Sequence, residues 1–277
     1  MNLALVLHPS RPSAAQTAVR LVEEAATRGI IVSGSPADAA RVNGLKPREP
    51  GTPVSGDVVV AVGGDGTVLE AARVARAAGL PVLGINAGTL GFLAEVEPAR
   101  IGAALDALVA SRYVVSDRMT LEVTLPDRTI VDGLNDVVVE KAISRQVVAV
   151  AVSIGGEHLV GYRADAVIVA TPTGSTAYTF SAGGPLVDPD IEALLLTPVA
   201  PHTTFGRTIV FSPEVVLDVL VTSDRRARVN VDGQTYDELD PGQSIRVARG
   251  AIPARFVRFE PRIFAHTVKE KFRLPDA

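Results

Sequence analysis

The chain has 277 residues, of which 47% are hydrophobic and 21% charged, with 27 basic against 31 acidic side chains and a formal net charge of −4. This composition provides enough apolar residues for a sizeable core, and it disfavours a disordered chain or a protein that coats nucleic acid through a basic face. Cysteine is absent, no apolar run approaches the roughly 18 residues that span a bilayer, and the first residues do not resemble a signal peptide, so we expect a soluble cytoplasmic protein with no disulfide and no membrane partner.

Residues 1–112 alternate between strand and helix patterns. Short apolar runs predict strands, and apolar residues spaced three and four apart predict helices between them. The predicted strands cover residues 3–7, 30–32, 57–62 and 81–85, and the predicted helices contain residues 18–25, 68–75 and 101–108. Residues 36–56 are rich in proline, glycine and charge and predict a loop. The alternation predicts a Rossmann-like parallel α/β domain over residues 1–112.

The pattern changes near residue 112, where short β-rich segments replace the alternation. Turn signals such as Gly155-Gly156 and Asp232-Gly233 separate many of these segments. The predicted strands cover residues 119–125, 129–131, 137–140, 147–154, 166–170, 215–221, 228–231 and 244–247. Many short strands with turns between them predict a β-sandwich domain over residues 113–255.

Three glycines and an acid follow the apolar run at residues 57–62, in the order Gly63-Gly64-Asp65-Gly66-Thr67. Parallel sheets bind ligands at this end of a strand, and glycines before a helix N-terminus suit a phosphate group. Phosphate repels a carboxylate unless a cation intervenes or the carboxylate is there to accept a proton, which makes Asp65 a candidate base. The alternative is a tight turn in which Asp65 or Thr67 only caps the helix.

Further polar segments follow other predicted strands. Residues 84–93 form a second glycine-rich turn, and residues 171–185 contain nine glycine, serine and threonine residues and no charge. The second segment suits the hydroxyl, amide and phosphate groups of a ligand, although a long polar turn is the alternative. Arg163 and Asp165 lie just before it, and their side chains share one face if the strand is continuous.

Together these motifs resemble the NAD kinase family along most of the chain. The shared features are the two glycine turns, Asn135-Asp136, residues 171–185, Pro201-His202 and Asp232-Gly233-Gln234. The Gly-Gly-Asp-Gly turn also occurs in related lipid kinases and phosphofructokinases, whereas residues 171–185 are specific to this family. The resemblance implies transfer of the γ-phosphoryl group of ATP to the 2′-hydroxyl of the adenosine ribose of NAD. It also implies that residues 256–277 return to the first domain.

The resemblance implies roles for individual residues as well. Asp65 is the implied proton acceptor, and the three glycines at positions 63, 64 and 66 shape the turn for the ATP phosphates. The residues implied to bind NAD are Asn135, Asp136, Arg163, Asp165, Thr176, Ala177, Tyr178, Ser181, Ala200 and Gln234. Two positions depart from the family pattern, because Asp136 is shorter than the usual glutamate and Ala166 replaces the usual glycine.

The expected cofactor and partners follow from the same motifs. No lysine lies near the two glycine turns, so we expect a divalent cation, preferentially Mg²⁺, to neutralise the phosphates, and its protein ligands stay open. The resemblance implies a homodimer or a homotetramer. Two alternatives remain, a non-catalytic NAD-binding sensor and a lipid or sugar kinase with the Gly-Gly-Asp-Gly turn. Asp65 favours the enzyme over the sensor, and residues 171–185 argue against the lipid or sugar kinase.

Overall fold

The computed structural model describes residues 1–88, 91–143, 146–260 and 264–275. The chain divides into two compact units, one formed by Met1–Asp117 with Ala254–Ala277 and the other by Arg118–Pro253. Thr89 and Leu90, in the second glycine turn, lie outside the described residues. Among the described helices, none combines the length and the apolar character needed to cross a bilayer.

The first unit is built on a seven-stranded sheet with helices packed against it. The strands are β1 (Asn2–Leu7), β2 (Ile31–Gly34), β3 (Lys46–Pro47), β4 (Val58–Gly63), β5 (Val82–Asn86), β6 (Val114–Arg118) and, from the end of the chain, β19 (Ala254–Arg258). The helices are α1 (Pro12–Ala26), α2 (Pro36–Ala39), α3 (Asp65–Ala77), α4 (Ile101–Val109) and α6 (Phe264–Phe272), with a 3₁₀ turn at Pro98–Arg100. Strand β4 is buried along its whole length, as its unbroken apolar sequence requires.

The strand order of this sheet, β3-β2-β1-β4-β5-β19-β6, brings the ends of three strands together. Strand β1 is parallel to β2 on one side and to β4 on the other, and β4 is parallel to β5. The loops that follow β1, β4 and β5 therefore meet at one edge of the sheet. The order of the strands reverses between β1 and β4, and such a switch point is where open α/β sheets bind ligands.

The second unit is a sandwich of two six-stranded antiparallel sheets. Its strands are β7 (Leu121–Thr124), β8 (Ile130–Gly133), β9 (Asp136–Lys141), β10 (Val148–Ile154), β11 (Glu157–Ala164), β12 (Ala166–Ala170), β13 (Leu194–Val199), β14 (Ile209–Phe211), β15 (Leu217–Val221), β16 (Ala227–Val231), β17 (Gln234–Leu239) and β18 (Ser244–Arg249). The sheet orders are β11-β10-β15-β18-β7-β8 and β14-β13-β12-β9-β16-β17. Alternate apolar residues of both sheets, such as Val150 and Val167, form one buried cluster between them.

The predicted fold class is confirmed, with a parallel α/β sheet first in the chain and an antiparallel sandwich after it. The prediction of a continuous loop over residues 36–56 is wrong, because the segment contains α2 and β3. Ser35 starts α2 by accepting a hydrogen bond from the backbone N–H of Asp38 (3.0 Å), which is the usual chemistry of a helix cap. Strand β11 was not predicted either, because most of its residues are exposed and it lies at the edge of its sheet.

Candidate active site

The first glycine turn joins β4 to α3 at the switch point of the parallel sheet. Gly63 ends β4 and packs so closely on Thr67 that a Cβ at Gly63 would overlap the threonine side chain. Gly66 lies in the first turn of α3 and is exposed, and a Cβ added there would meet no described atom within 4 Å. Steric fit therefore explains the glycine at position 63, whereas the glycine at position 66 leaves open space beside the helix N-terminus.

The second glycine turn fixes the orientation of Asp65. The backbone N–H of Phe92 donates to one carboxylate oxygen of Asp65 (2.9 Å), and that of Leu93 donates to the other (3.1 Å). Gly91 lies so close that a Cβ there would overlap the carboxylate. A carboxylate has about four acceptor sites, so these two bonds leave others available for a proton or a cation.

Hydrogen bonds tie the three loops at this edge to one another. The backbone N–H of Ala87 donates to the carbonyl of Gly63 (3.0 Å), and the Ser13 hydroxyl donates to the carbonyl of Ala87 (2.7 Å). The guanidinium of Arg11 lies against both turns, since a Cβ at Gly64 would be 3.7 Å from its Nη1 and a Cβ at Gly88 would overlap the same atom. The sequence prediction did not include Arg11, whose position depends on the order of the strands.

The C-terminal helix α6 supports the segment that holds Asp65. The ring of Phe92 lies 6.4 Å from that of Phe264 and 6.1 Å from that of Phe272, centroid to centroid, and the ammonium of Lys271 lies 5.7 Å from the Phe92 ring centroid. These distances are typical of aromatic pairs and of cation–π contacts. Helix α6 therefore packs on the residue whose backbone N–H binds the Asp65 carboxylate.

In the second unit, the Asn135-Asp136 pair is held by a second acid, Asp232. The carboxylate of Asp232 accepts hydrogen bonds from the backbone N–H groups of Leu134 (2.7 Å), Asn135 (2.7 Å) and Asp136 (3.2 Å). Asp232 also forms the β16–β17 hairpin turn with Gly233, as predicted, and both residues have positive φ, 49° and 77°. Asp232 was not among the predicted site residues.

Asp136 is a buried carboxyl group with an altered pKa. It begins β9, and only 5% of its surface is exposed. Burial and, secondarily, the nearby charge of Asp232 raise the pKa of Asp136 to about 7, while a hydrogen bond from the backbone N–H of Tyr178 acts in the opposite direction. The group is consequently divided between its neutral and ionised forms near pH 7, and it can both donate and accept hydrogen bonds.

Residues 171–181 pack directly on the Asn135-Asp136 pair. The Thr171 hydroxyl donates to the carbonyl of Leu134 (2.6 Å), and a 3₁₀ turn at Thr173–Thr176 leads into the short helix α5 (Tyr178–Ser181). Gly174 lies against the backbone of Asn135, where a Cβ would overlap the carbonyl oxygen. Of the predicted site residues, Asn135 and Asp136 are therefore brought together with the segment that contains Thr176, Ala177, Tyr178 and Ser181.

Tyr178 lies at the surface among charged side chains. Its exposed fraction is 39%, so the ring is not part of a buried core. Partial burial raises the pKa of the Tyr178 phenol, and the charges of Glu140, Asp165 and Asp136 raise it further against the opposing effect of Lys141. Lys141 forms an ion pair with Asp165 (2.5 Å) and was not predicted from the sequence. The Tyr178 hydroxyl thus lies within electrostatic range of three carboxylates and one ammonium.

The remaining predicted residues occupy nearby turns or exposed positions. Strand β11 ends before Asp165, so the continuous strand that would place Arg163 and Asp165 on one face does not exist. The carbonyl of Arg163 accepts a hydrogen bond from the N–H of His202 (2.7 Å), which brings the Ala200 turn beside it. Gln234 is exposed, and its side-chain oxygen accepts a bond from the Tyr236 hydroxyl (3.3 Å).

A parallel sheet with glycine turns and a fixed carboxylate at its switch point belongs to the class of α/β units that bind phosphate-containing ligands in many proteins, phosphotransferases among them. Comparison with protein families gives the particular family. Residues 49–113 match the family model of the ATP-NAD kinase N-terminal domain, and residues 134–259 match that of the ATP-NAD kinase C-terminal domain. The NAD kinase of Rhodococcus erythropolis is 38% identical over 99% of this chain and 94% of its own length. The chain belongs to the NAD kinase family, so a lipid or sugar kinase and a non-catalytic sensor are not favoured.

Solved structures agree with this assignment. A crystal structure of yeast NADH kinase complexed with NADH covers all of this chain and 89% of its own, with a TM-score of 0.90 and 24% identity, which shows a shared fold. The crystal structure of an NAD kinase from Archaeoglobus fulgidus in complex with ATP covers 100% of both chains, with a TM-score of 0.77 and 27% identity. The fold described above is therefore that of an NAD kinase over its whole length.

Proposed function

We propose that this kinase transfers the γ-phosphoryl group of ATP to the 2′-hydroxyl of the adenosine ribose of NAD, giving NADP, with Asp65 as the proton acceptor. The observation that carries the assignment of Asp65 is its carboxylate, which two backbone N–H groups hold at the N-terminus of α3. A ribose hydroxyl is a weak nucleophile at neutral pH, and a positioned base accelerates such a step by about 10²–10⁴-fold. The proton leaves the hydroxyl for Asp65 as the oxygen bonds to phosphorus, and ADP departs with the electron pair of the broken P–O bond.

We propose that the first unit binds ATP through the first glycine turn. Gly63, Gly64 and Gly66 let the backbone approach the ATP phosphates. The free N–H groups at the start of α3 are donors for the negatively charged phosphate oxygens. The open space around the Cβ position of Gly66 supports this proposal. On this basis residues 1–112 with 256–277 form the nucleotide-binding domain and residues 113–255 form the NAD-binding domain.

For NAD we propose the polar cluster of the second unit. Asp136 and Asn135 offer donors and acceptors to ribose hydroxyls, and the half-exposed ring of Tyr178 offers a flat apolar surface to a ring of the dinucleotide. The other residues proposed to line this site are Arg163, Asp165, Thr176, Ala177, Ser181, Ala200 and Gln234. The ion pair between Asp165 and Lys141 supplies charged groups that an amide of the ligand is able to engage.

A divalent cation fits this proposal as a partner of ATP. Within the described part of the chain, no three His, Asp or Glu side chains lie together as a metal-binding group. Magnesium usually keeps several waters and is held largely by substrate phosphates, so a site without three clustered protein ligands is compatible with a Mg²⁺ ion that arrives with ATP. The cation would neutralise phosphate charge during transfer. The homodimer or homotetramer and the cytoplasmic location stay predictions.

Formation of NADP by the purified protein tests the proposed reaction. The protein is incubated with ATP, Mg²⁺ and NAD, and NADP is detected with an NADP-specific dehydrogenase. We expect NADP to accumulate in proportion to enzyme, with one ADP formed for each NADP. ATP hydrolysis without NADP, or binding of NAD with no product, would show that the proposal is wrong.

A further inference from the structure

The loop after β1 places the cationic side chain of Arg11 beside the two glycine turns. Because β1 lies beside β4 in the sheet, residues 8–11 adjoin the first glycine turn. The Nη1 atom of Arg11 lies against Gly64 of the first turn and against Gly88 of the second. We propose that Arg11 binds the polyphosphate of ATP, an inference that rests on the proposed function and adds a residue to it.

The backbone of this loop is fixed by its own hydrogen bonds. The Nδ1 atom of His8 accepts the backbone N–H groups of Ser10 (3.3 Å) and Arg11 (3.1 Å). The carbonyl of His8 accepts a bond from the guanidinium of Arg41 (3.0 Å), and the N–H of His8 donates to the carbonyl of Val62 in β4 (3.0 Å). Arg11 is therefore held in place through its backbone, while its side chain lies along the glycine turns.

The guanidinium of Arg11 is a charge without a counter-charge in the described ranges. It forms neither a hydrogen bond nor an ion pair with any described residue, whereas Arg28, in the turn after α1, binds both Glu24 and Asp106. The alternative is that Arg11 binds no ligand, and that its solvated side chain only packs against the backbone of the two turns. The start of α3, which has no side-chain cap, lies beside the same cation and favours an anion there, and the planar guanidinium can contact two phosphate oxygens at once.

ATP is the ligand that this position favours over NAD. Arg11, both glycine turns and the start of α3 belong to the first unit, where the N–H groups and the helix dipole attract phosphate. The residues that resemble an NAD site all belong to the second unit. Arg11 also changes the charge balance at this edge, since it supplies a protein cation where the sequence suggested that a metal ion alone compensates the phosphates.

The test compares nucleotide binding by Arg11→Met, Arg11→Lys and the matched control Arg20→Met, an exposed arginine on α1. Titration calorimetry gives Kd for ATP, ADP and adenosine in the absence of NAD, and steady-state kinetics gives KM for ATP and for NAD. We expect Arg11→Met to raise Kd for ATP about 10- to 100-fold, as the loss of charge-assisted hydrogen bonds predicts. The increase in Kd should be smaller for ADP than for ATP and absent for adenosine. Arg11→Lys should bind ATP more tightly than Arg11→Met but less tightly than wild type. The control Arg20→Met should have the wild-type Kd for every ligand.

A second variant tests the same contact without removing the charge. In Gly88→Ala the added methyl group would displace the Arg11 guanidinium, so Kd for ATP should rise. The double variant Gly88→Ala with Arg11→Met should bind ATP no more weakly than Arg11→Met alone, because both changes remove the same contact. The inference is overturned if Arg11→Met binds ATP like wild type, if KM rises for NAD instead, or if the loss is equal for adenosine. If wild type itself forms no NADP, the proposed reaction fails first, and that outcome is distinguished by the wild-type assay alone.

Discussion

Replacing Gly66 with alanine separates a structural role of the first glycine turn from a ligand-binding role. The added Cβ would meet no described atom within 4 Å, and the residue lies in the first turn of α3 without a positive φ. Alanine is favoured over glycine in helices by roughly 0.5–1 kcal/mol, which in a protein of this size raises the melting temperature by about 1–4 °C. On structural grounds alone the variant should be as stable as wild type or more stable.

For activity we expect a different result, because we propose that the ATP phosphates bind at this turn. If the backbone at Gly66 touches the polyphosphate, the new methyl group forces the phosphate away from N–H groups worth about 1.5–3 kcal/mol in charge-assisted bonds. KM for ATP should then rise about 10- to 100-fold, with KM for NAD little changed. The matched control is Gly102→Ala, also the second residue of its helix, where a Cβ would lie 3.2 and 3.3 Å from the flexible ends of Glu24 and Arg28.

Thermal unfolding and initial-rate kinetics of the two variants decide the question together. We expect both variants to melt at or slightly above the wild-type temperature, and only Gly66→Ala to lose affinity for ATP. A Gly66→Ala enzyme with the wild-type KM for ATP would show that the phosphates do not approach this turn. A marked fall in its melting temperature would show instead that the space around Gly66 is occupied.

Three further outcomes are expected. Excess EDTA should abolish NADP formation and added Mg²⁺ should restore it, and full activity in EDTA would exclude a divalent cation. Tyr178→Ala should raise KM for NAD several-fold with KM for ATP unchanged and a stability loss well below the ~3–5 kcal/mol of a buried aromatic, because the ring is 39% exposed; an unchanged KM for NAD would contradict this. Burial raises the pKa of Asp136 from 3.8 to about 7. Between these two pH values the folded protein holds a proton that the unfolded chain has lost, so the folded state loses stability as pH rises. The free energy of unfolding, compared with that of Asp136→Asn, should therefore fall from about pH 4 to pH 7 and change no further above pH 7. Denaturation midpoints of both proteins at pH 4, 5.5 and 7.5 check this, and a constant difference between them would refute the raised pKa.

Sequence patterns predicted the elements that have a clear local signal and missed others, among them the exposed edge strand β11 and the buried strand β13. The unbroken apolar run of β4 has one interpretation in an α/β domain, and the structure has a strand there. Strand β11 carries His158, Tyr162 and Arg163 along an edge of the sandwich, so its side chains show no clear alternation. Strand β19 follows the sandwich in sequence but pairs with β5 in the parallel sheet, a contact that no local pattern encodes.

The same distinction applies to the candidate site. Local motifs identified both glycine turns and Asp65, because glycines and an acid after a buried strand have a direct physical meaning. Arg11, Lys141 and Asp232 were missed, since each acquires its role from a distant partner. The position of Arg11 beside the first glycine turn depends on β1 lying next to β4, and this strand order is not visible in the local sequence. The available signal for Arg11 was its place in the loop after the first strand of a parallel sheet.

Turnover by Asp65→Asn is the most direct test of the central claim that Asp65 accepts the proton. The amide keeps the size of the side chain and one acceptor for the N–H groups of Phe92 and Leu93, but it cannot take a proton from the ribose hydroxyl. We predict that kcat for NADP formation falls about 10²–10⁴-fold, while Kd for ATP and for NAD changes little and the protein remains folded. A folded variant that binds both substrates and retains near-wild-type kcat would contradict the assignment of Asp65 as the base.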